Sequence, residues 1–209
     1  WEAVAARYAD DPMVIGFDLM NEPWLGSTPM TEFEARVLQS FYEHIVLRIS
    51  VVAPGKLIFI EPSTFVQYGA FQPGFTPMEG VDLVYAPHYY LPAVHEGLTY
   101  DGDTSPIELA FDSYSKTGAT LGTPWWLGEY GGMKTALGFT DYMTDVTDLL
   151  DAHLSGSAYW SFDEGDYGFD MLTSEGELDQ SLDGTLVRPR FRAIGGSPTR
   201  MTWDGESLF

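Results

Sequence analysis

Two glutamates, Glu22 and Glu129, each stand directly after a short apolar run, in Val14-Ile-Gly-Phe-Asp-Leu-Met-Asn-Glu-Pro23 and in Trp125-Trp-Leu-Gly-Glu-Tyr-Gly-Gly132. Such a run reads as a buried parallel strand, and the polar residue that breaks it lies at the strand's C-terminal end. In a parallel α/β barrel that end faces the loops where chemistry is done, while the barrel interior is filled by side chains. Two carboxyls in one open cup suit glycoside hydrolysis: one protonates the leaving oxygen and the other attacks or stabilises the anomeric carbon. In a retaining site the two carboxyls are expected about 5–5.5 Å apart, against about 6.5–9.5 Å for an inverting pair. Repulsion between them should keep the acid protonated while the other carboxyl stays ionised. Pro23 disfavours a helical backbone in the residue before it, so Glu22 is expected to be held extended.

Around the two glutamates stand groups that a sugar site needs. Asn21 offers a donor to a hydroxyl, His88 and Tyr90 can orient or tune a carboxylate, and Trp160 offers an apolar platform for a pyranose face. Each has a plainer reading: a structural ion pair for Glu129, a histidine capping a strand for His88, a core side chain for Trp160. The constellation is more specific than any member. Glu61 also ends a strand, and its contact with substrate is left open. His44 and His153 lie in helical segments and His95 in a loop, all three read as structural or solvated. The run Asp163, Glu164, Asp166, Asp170 lacks the spacing of a known calcium loop and reads as a solvated acidic rim.

The elements that must position these residues alternate. Residues 1–9 carry helical spacing, strand 14–20 follows, and Thr31-x-x-Glu34 has the pattern of a capping box opening a long helix with Phe33, Val37, Phe41, Ile45 and Ile49 on one face. Strands are expected at 57–60, 83–86, 125–128 and 157–161, with helices at 105–117 and 139–154 between the later ones. This is βα grammar for a parallel sheet. Five units take about 150 residues, whereas a closed eight-stranded barrel takes about 250. Residues 1–195 are therefore read as strands four to eight of a (β/α)8 TIM barrel, with 187–196 as its closing helix. Residues 196–209, with Met201, Trp203 and the turn Asp204-Gly205, read as the start of a C-terminal β-sandwich.

Composition narrows the partners. Ten Lys plus Arg stand against 31 Asp plus Glu, and so negative a surface repels phosphate backbones, which excludes nucleic acid. There is no cysteine, hence no disulfide or thiolate metal site, and no metal or other cofactor is called for. No apolar run reaches the roughly 20 residues that span a bilayer. The chain opens at Trp1 in the middle of a helical pattern, which places a further segment upstream. A second polypeptide carrying strands one to three is one way to complete the barrel. Five parallel strands alone leave two open edges, so the isolated chain is expected to aggregate or be inert. Secretion from the cell is expected.

The residues also resemble a known family, glycoside hydrolase family 5 of the cellulase clan. Its motifs stand here in order as Asn21-Glu22-Pro23, His88-Tyr89-Tyr90, Gly128-Glu129-Tyr130-Gly131 and Trp160. The resemblance implies Glu22 as acid/base and Glu129 as nucleophile. Within the family, Phe-Asp-Leu-Met-Asn-Glu-Pro-Trp and Leu-Val-Arg-Pro-x-x-Arg-Ala-Ile-x-Gly-x-Pro-Thr are similar to the endoglycoceramidase branch. That branch implies cleavage of the bond between an oligosaccharide and ceramide. The alternatives are an endo-β-glucanase or mannanase acting on polysaccharide, and a sugar-binding barrel without chemistry. Apolar loop residues (Phe71, Phe75 and Met78, then Leu91, Pro92, Ala93 and Val94) suggest a rim for the greasy end of a glycolipid.

Overall fold

The computed structural model describes residues 1–165, 168–191 and 195–209. They form two compact units, Trp1–His88 with Asp112–Trp126, and Tyr89–Phe111 with Leu127–Phe209.

The first unit opens with α1 (Glu2–Tyr8) and β1 (Gly16–Asp18). The expected strand 14–20 is thus pared to three residues. A helical run follows, in three parts: α2 (Met30–Glu32), a π turn (Phe33–Leu38) and α3 (Gln39–Val52). Then come β2 (Leu57–Ile60) and β3 (Leu83–Tyr85). The strands are parallel in the order β1-β2-β3, with Gly16 opposite Leu57 and Ile58 opposite Leu83, and an isolated parallel bridge joins Tyr85 to Trp125.

Close approach of β1 to β2 depends on a missing side chain. A Cβ on Gly16 would lie 2.3 Å from the Leu57 carbonyl oxygen and 2.8 Å from Leu57 Cβ, a backbone clash that no rotamer relieves. Gly16→Ala is expected to lower the stability of the full-length protein by about 2–3 kcal/mol, the scale of overpacking a tight contact, read from the urea midpoint at unchanged slope. An unchanged midpoint would mean that the strands are not so close.

The long helix departs from the expected face. Phe33, Leu38, Tyr42, Val46 and Ile49 are buried, while Val37 is 49% exposed. The π turn accommodates an extra residue, so the buried positions that follow are Leu38, Tyr42 and Val46, one beyond the expected Val37, Phe41 and Ile45, and the two faces meet again at Ile49. Nor is there a capping box. The helix starts at Met30 without a side-chain cap, and the buried Glu34 instead accepts the backbone N–H of Ser63 at 2.7 Å. Phe75, expected on the rim, packs edge-on against Tyr42 in the core.

The later elements are β4 (His88–Tyr89), α4 (Pro92–His95), α5 (Ser105–Leu121), β5 (Trp126–Tyr130), α6 (Phe139–Ala152) and β6 (Gly156–Tyr159), with strand order β4-β5-β6. Pro87, lacking an N–H, separates β3 from β4. In the second unit, α6 buries Tyr142, Met143, Val146 and Leu150, as its spacing predicts, and Phe139 with them, while Leu149, expected inside too, is only partly covered. Val94, expected on the rim, is fully buried. His95 ends a short helix rather than lying in a loop.

The expected closing helix over 187–196 is not formed by its described residues, and 192–194 lie outside them. Pro189 would leave a helix without one of its hydrogen bonds. Instead the segment is tied down by charge: Arg188 pairs with Asp148 (2.8 Å) and with Asp151, and Arg190 Nη1 lies 2.9 Å from Asp151. The chain finishes in a small hairpin, where Thr202 and Phe209 exchange backbone hydrogen bonds of 3.0 and 2.9 Å and Asp204 Oδ1 accepts the N–H groups of Glu206 and Ser207.

Candidate active site

In the first unit the site is built at the ends of β1, β2 and β4. Glu22 leaves β1 in an unexpected conformation. Its φ is +44°, in the left-handed region, not extended as a residue before proline should be. The tertiary contact that overrides this preference is visible: the Glu22 backbone N–H donates to Oε2 of Glu61 at 2.8 Å. Strain of this kind, of order 1–3 kcal/mol, persists where surroundings over-determine the backbone.

His88 lies between two carboxylates. Its Nδ1 is 3.1 Å from Glu22 Oε1 and its Nε2 is 3.3 Å from Glu61 Oε1. The ring is 2% exposed, so its orientation is fixed from both sides. The Tyr114 hydroxyl donates to the His88 carbonyl at 3.1 Å. Glu61 is 1% exposed, which makes it a support for this cluster rather than a contact for substrate. Tyr42 holds its backbone, donating to the Glu61 carbonyl at 2.8 Å.

A fourth member, Asp18 on β1, is solvent-accessible as a residue, but its carboxyl lies near that of Glu61. Removal of that carboxyl from water, followed by the Glu61 charge, pushes its pKa up to about 7, with His88 and the Met20 backbone pulling the other way. Asn21 is exposed beside Glu22. Across the same end, Trp24 (65% exposed) stacks on Phe65 with ring centroids 4.7 Å apart. The half-buried Tyr68 hydroxyl has its pKa raised by desolvation and then by the Glu22 charge, which places it near that carboxyl.

In the second unit β5 presents Glu129, half-buried, and the Tyr90 hydroxyl donates to its Oε2 at 2.8 Å. Tyr90 is braced in turn by His95 (5.6 Å) and Phe169 (6.0 Å), which contact each other at 5.4 Å. Trp160 follows β6, half exposed, and its N–H donates to the Tyr130 carbonyl at 2.9 Å; its peptide bond to Ser161 is cis. Gly131 permits this approach, since a Cβ there would lie 2.7 Å from the Trp160 carbonyl oxygen.

The acidic run is only partly a rim. Asp163 and Glu164 are exposed and Asp166 lies outside the described residues, but Asp170 is buried and paired with Lys134 at 3.2 Å. Lys134 also reaches Asp179 at 2.8 Å.

The structure therefore joins Glu22 to His88 and Glu129 to Tyr90, as their types suggest. Reasoning from sequence overlooks Asp18, which reads as one more residue of a strand, leaves the role of Glu61 open, and puts His95 in a loop where the structure has the end of a short helix. The signal for Glu61 is its own Glu-Pro at a strand end, a repeat of the Glu22-Pro23 pattern.

Comparison with known proteins follows this geometry. Curated endoglycoceramidase I of Rhodococcus hoagii (strain 103S) is 26% identical over 223 residues, covering 98% of the chain. The structure of endo-glycoceramidase II from Rhodococcus sp. in its ganglioside GM3 complex aligns over 97% of the chain at 29% identity and a TM-score of 0.84. A cellulose synthase subunit Z from Clostridioides difficile, 20% identical with a TM-score of 0.75 over 90% of the chain, shares the fold. The chain spans less than half the length of the endoglycoceramidases it matches, 43% of the curated relative and 47% of the solved one. In both, the matched segment is part of one longer chain, so nothing here supports a separate polypeptide for the remaining strands. The family model described as cellulase (glycosyl hydrolase family 5) matches residues 1–166, and the chain belongs to that family.

Proposed function

We propose that this chain is the C-terminal five-eighths of a (β/α)8 barrel in a retaining β-glycosidase that cleaves the bond between an oligosaccharide and ceramide. The observation that carries the chemistry is the pair of strand-end carboxylates, each held by the partner its role requires: Glu129 by the Tyr90 hydroxyl at 2.8 Å, Glu22 by His88 at 3.1 Å. The Glu129 carboxylate attacks the anomeric carbon as the glycosidic C–O bond breaks, and Glu22 gives its proton to the departing ceramide oxygen. Glu22, now a carboxylate, takes a proton from the water that attacks the anomeric carbon and releases Glu129. Trp160 supports a sugar face, and Asn21 and Tyr90 face its hydroxyls.

The choice of ceramide as aglycone is supported by the likeness to endoglycoceramidases over nearly the whole chain. Exposed aromatic surface after β1 and β2 agrees with it: Trp24, Phe65 and Phe71, each 38% exposed or more, take the place of the rim expected from Phe75 and Val94. The full-length enzyme should release free ceramide from neutral glycosphingolipids in detergent micelles. Cleavage of cellulose or mannan oligomers with no ceramide released would favour the glucanase reading, and binding without any turnover the non-catalytic one.

A further inference from the structure

Glu61 does more than its burial requires. One oxygen accepts the backbone N–H of Glu22 at 2.8 Å and the other faces His88 Nε2 at 3.3 Å, while the opposite ring nitrogen of His88 lies 3.1 Å from Glu22 Oε1. A single buried carboxyl thus holds both the backbone of Glu22 and the histidine on its side chain. We propose that Glu61 is the positioning residue for the acid/base Glu22, its carboxylate acting through His88 to retain a proton on the Glu22–His88 pair. This rests on the assignment of Glu22 as acid/base.

The argument is electrostatic. A histidine flanked by two carboxyls carries a proton that either partner can share, and a negative charge behind it raises the pH at which the pair lets that proton go. Among the described residues of the first unit, the groups facing this cluster include Asp18 from β1, the Tyr42 hydroxyl from α3, His88 from β4, and Tyr68 beside Glu22 from the loop after β2. Glu34 of the π turn is engaged with Ser63. Asp18, with its pKa pushed up to about 7, is largely neutral below that pH and charged above it. A protonated Glu22 is needed only when the leaving oxygen is a poor one, as an alkoxide of ceramide is.

The test uses the full-length enzyme and two aryl β-glycosides, dinitrophenyl and unsubstituted phenyl, with pH profiles of kcat/KM. Glu61→Gln keeps the shape and an acceptor for the Glu22 N–H but removes the charge. Its basic limb should move down by about one pH unit, and its loss on the phenyl glycoside should exceed that on the dinitrophenyl glycoside by roughly tenfold or more. Asp18→Asn should move the limb in the same direction by less, and carries the test alone if Glu61→Gln does not fold. A basic limb unmoved in the folded variants, with equal losses on both substrates, would show a merely structural role and overturn the inference. Glu22→Gln is the reference: equal losses on both substrates in that variant would overturn the acid/base assignment itself, a distinct result.

Discussion

Glu129→Ala is expected to abolish turnover, lowering kcat by on the order of 10⁴-fold or more, the scale seen when a nucleophile is removed. Retaining hydrolysis has no route around the covalent intermediate, and among the described residues no other carboxyl follows Glu129 at the end of β5. Sugar binding should survive largely intact, because the alanine removes a charge and leaves the sugar's hydroxyl partners. Isothermal titration with a non-hydrolysable oligosaccharide separates the two effects. Activity above a few per cent of the parent, on any substrate, would reject Glu129 as the nucleophile. Added azide should restore turnover, and the product should be the glycosyl azide of inverted configuration, since the small anion attacks from the side that Glu129 vacates.

Glu22→Ala should behave differently. On glycolipid the loss should be about 10²–10⁴-fold, the range for a general acid. On an activated aryl glycoside the first step needs no acid, yet the second still lacks its base, so the glycosyl-enzyme should accumulate and be seen as a mass increase on the intact protein. Azide needs no base, and should discharge that intermediate to a glycosyl azide of retained configuration. If the same substitution gave the inverted azide, the roles of the two glutamates would be exchanged.

The sequence spoke clearly where local preference and burial agree. Leu57–Ile60 is a strand to the residue, and the buried face of α6 falls where a helical period puts it. Glu22, Glu129, His88 and Tyr90 were legible because their spacing follows the strand ends. The pattern failed where a distant contact overrules a local one. The extra residue in the π turn moves the core face of the helical run by one position, and a periodicity count has no means of registering it. Glu22 adopts φ +44° against the preference set by Pro23 because a side chain 39 residues away accepts its N–H. Glu61 and Asp18 were obscured for a related reason: supporting residues owe their role to what they touch, and spacing along the chain encodes no such contacts. Of the residues expected on the apolar rim, Phe75 and Val94 are needed inside, whereas Phe71 is half exposed.

The two compact units are interleaved along the chain. The first takes Asp112–Trp126 after the second has begun, and helix α5 is divided between them, its residues 105–111 going with one and 112–121 with the other. No single cut in the sequence releases either unit whole. A break after His88, for instance, would strip the histidine of Tyr114, whose hydroxyl meets its carbonyl. Gene shuffling works by single joins between self-contained pieces, and here such a join would ruin the support of one glutamate in order to move the other. Glu22 and Glu129, 107 positions apart, would thereby have to be inherited as one block.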